Sequence, residues 1–212
     1  MGGLVQSPAM EAALPLAAAG LVLGWPAEWL IQQFPRPAGS PLSPRRQLVV
    51  TAILAATCAA LGAEIGFEAP LVPAVVLTGL VVPVAAIDLG HRIIPNAITL
   101  PGAVAVYATA VAAEPDRALE LALAGAATFL FFLLAWLVYR QGIGLGDVKL
   151  AGMNGLGLGT TVLSAVVVGF AASWLVAIGL VVTGGRAALK TEIPFGPFLA
   201  AGAIAALLWA SG

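Results

Sequence analysis

Two aspartates in this 212-residue sequence stand beside apolar runs, where a carboxylate needs a reason. Asp88 ends an apolar run that begins at Val81, and Asp147 follows glycines at alternate positions, the nearest of which are Gly144 and Gly146. A carboxylate within a membrane span costs about 2.5 to 3.5 kcal/mol on insertion scales, so a function is expected for it. Two carboxylates brought close together cannot easily both ionise, so one keeps a proton while the other activates water. The pair is therefore a candidate aspartic-protease dyad.

Each aspartate also has a purely structural interpretation. Asp88 can cap a helix at the membrane interface or pair with Arg92, and Asp147 can bond the first free amides of a helix that begins there. These roles leave the glycines before Asp147 unexplained. Because Gly144 and Gly146 lack side chains, an extended peptide or a neighbouring helix can approach Asp147 closely. A protease that must unwind a helical substrate beside its acids needs such room.

The composition is that of a polytopic membrane protein. Hydrophobic residues make up 61% of the chain and charged residues 9%, with a mean hydropathy of +1.05, whereas a soluble domain carries about a quarter charged residues. The net charge of -1 and the absence of long basic or acidic runs argue against a nucleic-acid-binding surface. With one cysteine, Cys58, and one histidine, His91, the chain offers neither an intrachain disulfide nor a cysteine-pair zinc site, and we predict no metal.

The predicted fold is all-α: a single membrane-embedded bundle over residues 1–212 with about eight transmembrane segments. Apolar stretches that predict helices occur at residues 12–31, 47–65, 71–88, 97–113, 119–139 and 195–210. Residues 147–182 as one helix would measure about 54 Å, far longer than a hydrocarbon core of about 30 Å, so the chain must turn back. The glycines of residues 155–159 favour the turn there. We therefore predict a short helix over residues 147–154 and a full span over residues 160–182.

The positions of the basic residues predict the orientation in the membrane, because cytoplasmic loops collect Lys and Arg. With eight crossings, Arg117 alone lies on one side, and the other side receives Arg36, Arg45, Arg46, Arg92, Arg140, Lys149, Arg186 and Lys190. Both termini are then predicted to lie outside, and Asp88 and Asp147 at cytoplasmic helix ends. The polar stretch of residues 32–46 is predicted to be a short, irregular cytoplasmic loop.

Three motifs in this order resemble those of the type IV prepilin peptidases, aspartic membrane proteases of the Gly-x-Gly-Asp class. They are Ile87-Asp88 with Ile94-Pro95-Asn96 downstream, then Gly144-Leu145-Gly146-Asp147-Val148-Lys149-Leu150, then Ile193-Pro194-Phe195-Gly196-Pro197-Phe198-Leu199. The resemblance covers most of the chain. A lone Gly-x-Gly-Asp is a weak signal, whereas the three motifs together are specific.

The resemblance implies that Asp88 and Asp147 are the catalytic pair of a peptidase in the prokaryotic plasma membrane. It would cleave short basic leaders from prepilins or pseudopilins at the cytoplasmic face, typically just after a glycine that precedes an apolar helix. One aspartate would act as general base on water and the other as general acid. The motif residues that would bind substrate or shape the site are Gly144, Gly146, Lys149, Pro95, Asn96, Pro194, Phe195, Gly196 and Pro197.

Some of these residues also have simpler explanations. Lys149 could stabilise the ionised dyad or bind lipid phosphate, but a lysine at the membrane interface also reaches water by snorkelling. Pro194 and Pro197 flank the start of the last predicted helix, and proline is tolerated in the first turn of a helix. Helix entry alone would therefore explain both prolines.

The sequence departs from the family's longer form. Many members carry, between the first two spans, a cytoplasmic domain with paired Cys-x-x-Cys motifs, and they also methylate the new N-terminus with S-adenosylmethionine. Here residues 32–46 stand in that place and contain no cysteine. We therefore predict no zinc and no cofactor, with S-adenosylmethionine required only if methyl transfer is retained.

Three other interpretations stay open. The presenilin and signal peptide peptidase class also uses Gly-x-Gly-Asp, but its Pro-Ala-Leu element is absent, and Pro194-Phe195-Gly196-Pro197 stands in the corresponding late position. The two acids could form a proton or cation pathway in a small transporter, although such a path favours acids near the membrane midplane. A non-catalytic scaffold for pilus assembly would use both aspartates only as helix caps.

Overall fold

The computed structural model describes residues 8–32, 44–140, 142–185 and 193–211, which form eight α-helices and no strand. The helices are α1 (Pro8–Gln32), α2 (Pro44–Ile65), α3 (Leu71–His91), α4 (Asn96–Ala113), α5 (Ala118–Val138), α6 (Leu145–Leu158), α7 (Val162–Gly184) and α8 (Gly196–Ser211). Most of the predicted loop 32–46 lies outside the described residues, and its last three residues begin α2. The predicted all-α class is confirmed.

Several helices are suited to a bilayer by length and composition. Five segments are long and apolar enough to cross a membrane, namely Arg45–Ile65, Leu71–His91, Asn96–Ala113, Pro115–Val138 and Leu145–Gly184, the last combining α6 and α7. Shorter apolar stretches lie within α1 and α8. Large apolar side chains on the outer faces, such as Trp25, Val104 and Trp174, are at least 68% exposed, as expected of helices that are apolar all round and face lipid. The predicted polytopic membrane bundle is confirmed.

The short helix α6 lies at the centre of the bundle. It packs against α5, α4 and α8 and also touches α3. Its buried residues include Val148, Leu150 and Met153, which belong to the main apolar core. The longer helices pair around it: α1 packs chiefly on α2, and α7 on α8. Residues at the start of α6 are therefore held from several sides.

The predicted end of this short helix is wrong. α6 continues past Asn154 to Leu158, and only Gly159, with a φ of +59°, adopts a left-handed backbone. A Cβ on Gly155 would lie 2.7 Å from the carbonyl oxygen of Ala124 in α5. The glycine therefore allows two helices to approach closely, which is the other common use of glycine in membrane proteins.

The chain does reverse after α6, as predicted. Asp147 lies at the start of α6, and Phe170 of α7 returns to Phe195, which lines the same cavity as Asp147, with ring centroids 5.1 Å apart. At the turn, a carboxylate oxygen of Glu120 in α5 accepts hydrogen bonds from the Thr160 backbone N–H at 2.9 Å and from the Thr160 hydroxyl at 3.0 Å. The Glu120 side chain thus fixes the turn between α6 and α7 against α5.

Candidate active site

Asp88 lies in the last turn of α3, which continues to His91 rather than ending at Asp88 as predicted. The residue is buried, with 5% of its surface exposed. The backbone N–H of Gly196, the first residue of α8, donates to Asp88 Oδ2 at 3.0 Å. A Cβ on Gly196 would lie only 2.7 Å from that oxygen, so this approach requires glycine. The free N–H groups at a helix N-terminus favour a negative charge there.

Asp147 is the third residue of α6 and is also buried, with 8% of its surface exposed. Its Oδ2 accepts a hydrogen bond from the backbone N–H of Gly144 at 2.9 Å, which closes the start of the helix. The structural interpretation of Asp147 as a helix cap is therefore correct for one carboxylate oxygen. This cap uses only Oδ2, so it does not prevent Oδ1 of Asp147 from taking part in a reaction.

Both aspartates line one cavity of about 500 Å³, here called the dyad cavity. The other lining residues are Arg92, Ile93, Ile94, Asn96, Arg140, Gly142, Ile143, Gly144, Gly146, Lys149, Ile193, Pro194 and Phe195. The fold therefore brings together the two carboxylates singled out in the sequence, and with them most of the residues from the three motifs.

Three cationic side chains share the cavity with the carboxylates. Arg92 follows α3 with a left-handed φ of 54°, and the guanidinium of Arg140 lies 4.6 Å from the ring centroid of Trp136. The Lys149 ammonium donates to Asn96 Oδ1 at 2.6 Å. Nearby positive charge favours ionised carboxylates. From the sequence, both arginines are predicted to be cytoplasmic, and Arg92 is also one candidate partner of Asp88. Their place in the cavity is signalled only by their positions, one residue after α3 and two residues after α5.

The glycines before Asp147 have neighbours within the protein. A Cβ on Gly146 would lie 2.6 Å from the Cβ of Ile94, which lies just before α4. A Cβ on Gly144 would lie 3.2 Å from Asp147 Oδ2. Gly146 therefore lets the start of α6 pack against Ile94, close to the dyad cavity. The use of the same space by a substrate stays a prediction.

A cluster of phenylalanines packs around Phe195 and was not predicted. Its ring centroid lies 5.1 Å from that of Phe170, 6.1 Å from that of Phe132 and 6.4 Å from that of Phe198. Such separations suit favourable aromatic packing. Because Phe132 and Phe170 belong to ordinary apolar spans, no motif or spacing in the sequence could have indicated that they meet. The cluster supports the cavity wall from α5, α7 and α8.

Three of the predicted site-shaping residues, Pro95, Gly196 and Pro197, lie outside the lining of the dyad cavity, although the Gly196 backbone bonds Asp88. Pro95 is buried just before α4, and its carbonyl accepts a hydrogen bond from the Thr99 hydroxyl at 3.2 Å. Pro197 lines a different, apolar groove between α2, α3 and α8. Pro194 does line the dyad cavity. Helix entry is therefore a sufficient account of Pro197.

A second group of ionisable residues lies at the far end of α6 from the dyad. A cavity of about 610 Å³ there is lined by residues that include Glu64, Glu68, Glu114 and Arg117. The Arg117 guanidinium pairs with Glu114 at 2.6 Å and with Glu120 at 2.9 Å. In the part of the chain that the structure describes, no group of three or more His, Cys, Asp or Glu side chains could hold a metal ion.

Comparison with known families gives a match that includes the dyad. The model of the Type IV leader peptidase family matches residues 74–183, just over half of the chain. The matched region runs from α3 into α7 and contains both Asp88 and Asp147.

Three similar bacterial proteins are each called prepilin leader peptidase/N-methyltransferase. The one from Bacillus subtilis (strain 168) is 33% identical over 78% of this chain and 65% of its own length, and the one from Myxococcus xanthus (strain DK1622) is 35% identical over 74% and 48%. The one from Burkholderia pseudomallei (strain K96243) is 34% identical over 80% of this chain and 56% of its own length. The chain thus spans between about half and two thirds of these relatives. No solved structure matches it.

Proposed function

We propose that this chain, which belongs to the type IV leader peptidase family, is a membrane aspartic endopeptidase that removes leader peptides from prepilin-like or pseudopilin substrates. The observation that carries the proposal is the meeting of Asp88 and Asp147 in one cavity. They come from different helices and different motifs, and two helix caps with no shared role have no reason to face the same space. The names of the relatives, which refer to prepilin leaders, give the substrate class.

The proposed reaction needs two carboxylates that share one proton. The ionised aspartate removes a proton from water as the water attacks the scissile carbonyl, and the protonated one donates a hydrogen bond to the carbonyl oxygen. The departing amine then takes up a proton from the dyad. Backbone N–H groups of Gly196 and Gly144 hold Oδ2 of Asp88 and of Asp147. Oδ1 of Asp88 and Oδ1 of Asp147 would then contact the water and the substrate carbonyl.

The cations of the dyad cavity have a role in this proposal. We assign to Arg92, Arg140 and Lys149, which line the same cavity, the stabilisation of the negative charge that develops on the carbonyl oxygen. The same cations would repel a basic leader. We therefore place the charged residues of the leader outside the cavity and only the residues next to the scissile bond within it.

The proposed location is the cytoplasmic face of a prokaryotic plasma membrane. It rests on the excess of Lys and Arg on one side of the predicted topology, since cytoplasmic loops collect these residues. Both aspartates lie close to the ends of their helices, α3 and α6, that face the dyad cavity. An active site at this membrane face can reach the bond between the substrate's polar leader and the substrate's apolar segment.

Methyl transfer is a separate matter from proteolysis. The relatives' names include N-methyltransferase, and such a reaction uses S-adenosylmethionine, which supplies an activated methyl group. Among the residues that the structure describes, the dyad cavity combines two carboxylates and three cations with a single aromatic ring, Phe195. These residues do not form a distinct pocket for an adenine ring, so no methyl-transfer step is assigned to them.

The test is cleavage of a co-expressed prepilin-like substrate by the wild type and by Asp88→Asn and Asp147→Asn. Each substitution removes a proton-transfer group with little change in shape, so we expect a loss of about 100-fold or more. Asp116→Asn is the matched control, because Asp116 is exposed in the turn at the far end of α5. Membrane insertion is checked for every variant.

The outcomes separate the proposal from its rivals. Loss of the processed product in both dyad variants, with processing retained in Asp116→Asn, supports a two-aspartate peptidase. Processing that survives in either dyad variant refutes the dyad. Survival in both would favour the scaffold interpretation, in which the carboxylates act only as caps.

A further inference from the structure

A lipid-facing groove runs along α6 between α4 and α5. It has a volume of about 440 Å³ and walls that are almost wholly apolar. It exists because α4 and α5 each pack on α6 but barely contact one another. Small side chains deepen it: Ala103 lines the α4 wall, Ala126 the α5 wall and Gly152 the floor. Leu100 and Phe129, which also line it, are 55% and 39% exposed, so the groove opens towards the surroundings of the bundle.

One end of this groove meets the dyad cavity. Lys149 lines both spaces and lies two residues after Asp147. At the other end, the hydroxyl of Tyr107 in α4 donates to the carbonyl oxygen of Ala118, the first residue of α5, at 3.2 Å. This bond joins the two walls there. The groove therefore opens to the side and is bridged at its far end, and it borders the dyad cavity at Lys149, whose ammonium bonds Asn96 of α4 at 2.6 Å.

The size of the groove limits what it can hold. Its floor runs from Lys149 to Leu156, about 11 Å or two turns of α6. Two turns of a helix with side chains occupy a cylinder of roughly 860 to 1240 Å³, about two to three times the volume of the groove. The groove therefore accepts the side chains on one face of a second helix, about two turns long, while the rest of that helix faces lipid.

We infer that this groove binds the first two turns of the substrate's apolar segment, directly after the scissile bond. The inference rests on the proposed function. The adjacency of the two spaces at Lys149 carries it, because the residues that follow a bond cleaved at Asp88 and Asp147 lie next to the groove. The apolar walls and the side opening require an occupant that is apolar and lies within the bilayer. In lipid, contact between small-residue faces drives such helix packing.

A second groove offers a matched control. It lies between α2, α3 and α8, has a volume of about 460 Å³ and is equally apolar. None of its lining residues lines the dyad cavity. Ala201 lies on its wall and is exposed, as Ala126 is in the first groove. A tryptophan at either position fills one groove from a lipid-facing helix surface.

The first experiment compares Ala126→Trp with Ala201→Trp on two substrates. One is a membrane-inserted prepilin-like protein; the other is a soluble peptide that ends just before the apolar segment. We expect Ala126→Trp to lower kcat/KM for the inserted protein by about tenfold or more and to leave the peptide nearly unaffected. Ala201→Trp should leave both rates within about twofold of wild type. Unchanged cleavage of the inserted protein by Ala126→Trp overturns the inference and leaves the groove to lipid.

A second measurement does not depend on turnover. Cys58 is the only cysteine, so in a Cys58→Ala background Ala126→Cys and Ala201→Cys each supply a single thiol. Ala126→Cys should form a disulfide with a cysteine placed in the first two turns of the substrate's apolar segment, and Ala201→Cys should not. Crosslinking from Ala201→Cys alone, or from neither, overturns the inference. If the wild type cleaves no prepilin-like substrate, the proposed function fails first, whereas wild-type cleavage without the Ala126→Cys crosslink refutes the groove alone.

Discussion

Replacing Gly196 by alanine should disable the site without unfolding the protein. The new Cβ would lie 2.7 Å from Asp88 Oδ2 and 3.1 Å from Asp88 Cγ, whereas ordinary van der Waals contact begins at 3.4 Å. The carboxylate must therefore move by about 0.7 Å, the difference between 3.4 and 2.7 Å, and its 3.0 Å hydrogen bond from the Gly196 N–H is strained or lost. A hydrogen bond to a charged group contributes about 1.5 to 3 kcal/mol, and a misplacement of about 1 Å costs roughly 100-fold in rate. We expect kcat to fall by about 10- to 100-fold with little change in KM.

The assay is single-turnover cleavage of a prepilin-like substrate by purified protein in liposomes, with thermal unfolding measured in parallel. Gly179→Ala in α7 and Gly79→Ala in α3 are the controls, because a Cβ at either position would meet nothing within 4 Å. Alanine favours a helix over glycine by about 1 kcal/mol, so neither control should lose stability. If Gly196→Ala cleaves within about twofold of these controls, the Asp88 carboxylate does not depend on Gly196 and the reasoning is refuted.

Two further substitutions test other parts of α6. Gly146→Ala places a Cβ 2.6 Å from the Cβ of Ile94, so it should shift the start of α6 and lower kcat by about tenfold or more; an unchanged rate in the same cleavage assay would contradict this. Asn154→Leu should raise the free energy of unfolding by about 1 kcal/mol. Among the described residues, buried Asn154 Oδ1 has no hydrogen-bond partner, and its Nδ2 makes only a 3.3 Å bond to the Leu199 carbonyl. A lower melting temperature would show that losing the Nδ2 bond costs more stability than removing the unpaired oxygen gains.

Much of the fold could be predicted because the signals for it are local. α4 begins one residue before the predicted range 97–113 and ends where that range ends. The agreement is close because apolar content and the preceding proline are read directly from the sequence. The end of α6 was missed for a physical reason. Gly155 can break a helix or admit a neighbouring helix, and only the position of Ala124 in α5 decides between the two.

The candidate site likewise contains residues that local sequence signals indicate and contacts that only the fold creates. Asp88 and Asp147 could be singled out because carboxylates beside apolar spans are rare and costly. Their shared cavity could be expected only from the family resemblance. The hydrogen bond from Gly196 to Asp88 joins residues 108 positions apart, and no spacing rule predicts such a contact. The position of Arg140 in the cavity depends likewise on how α5 ends against the other helices.

The two aspartates differ in how they are held, and this has a consequence for function. Asp147 is fixed locally, by the N–H of a residue three positions earlier in the same helix end. Asp88 is fixed by α8, whose first residue supplies the N–H, and α8 in turn packs on α7 at close approaches such as the one between Gly202 and Ala165. Loss of packing between α7 and α8 should therefore displace Asp88 while Asp147 keeps its cap. In the proposed peptidase, the position of α8 sets the dyad, and the groove on α4, α5 and α6 receives the substrate from another side.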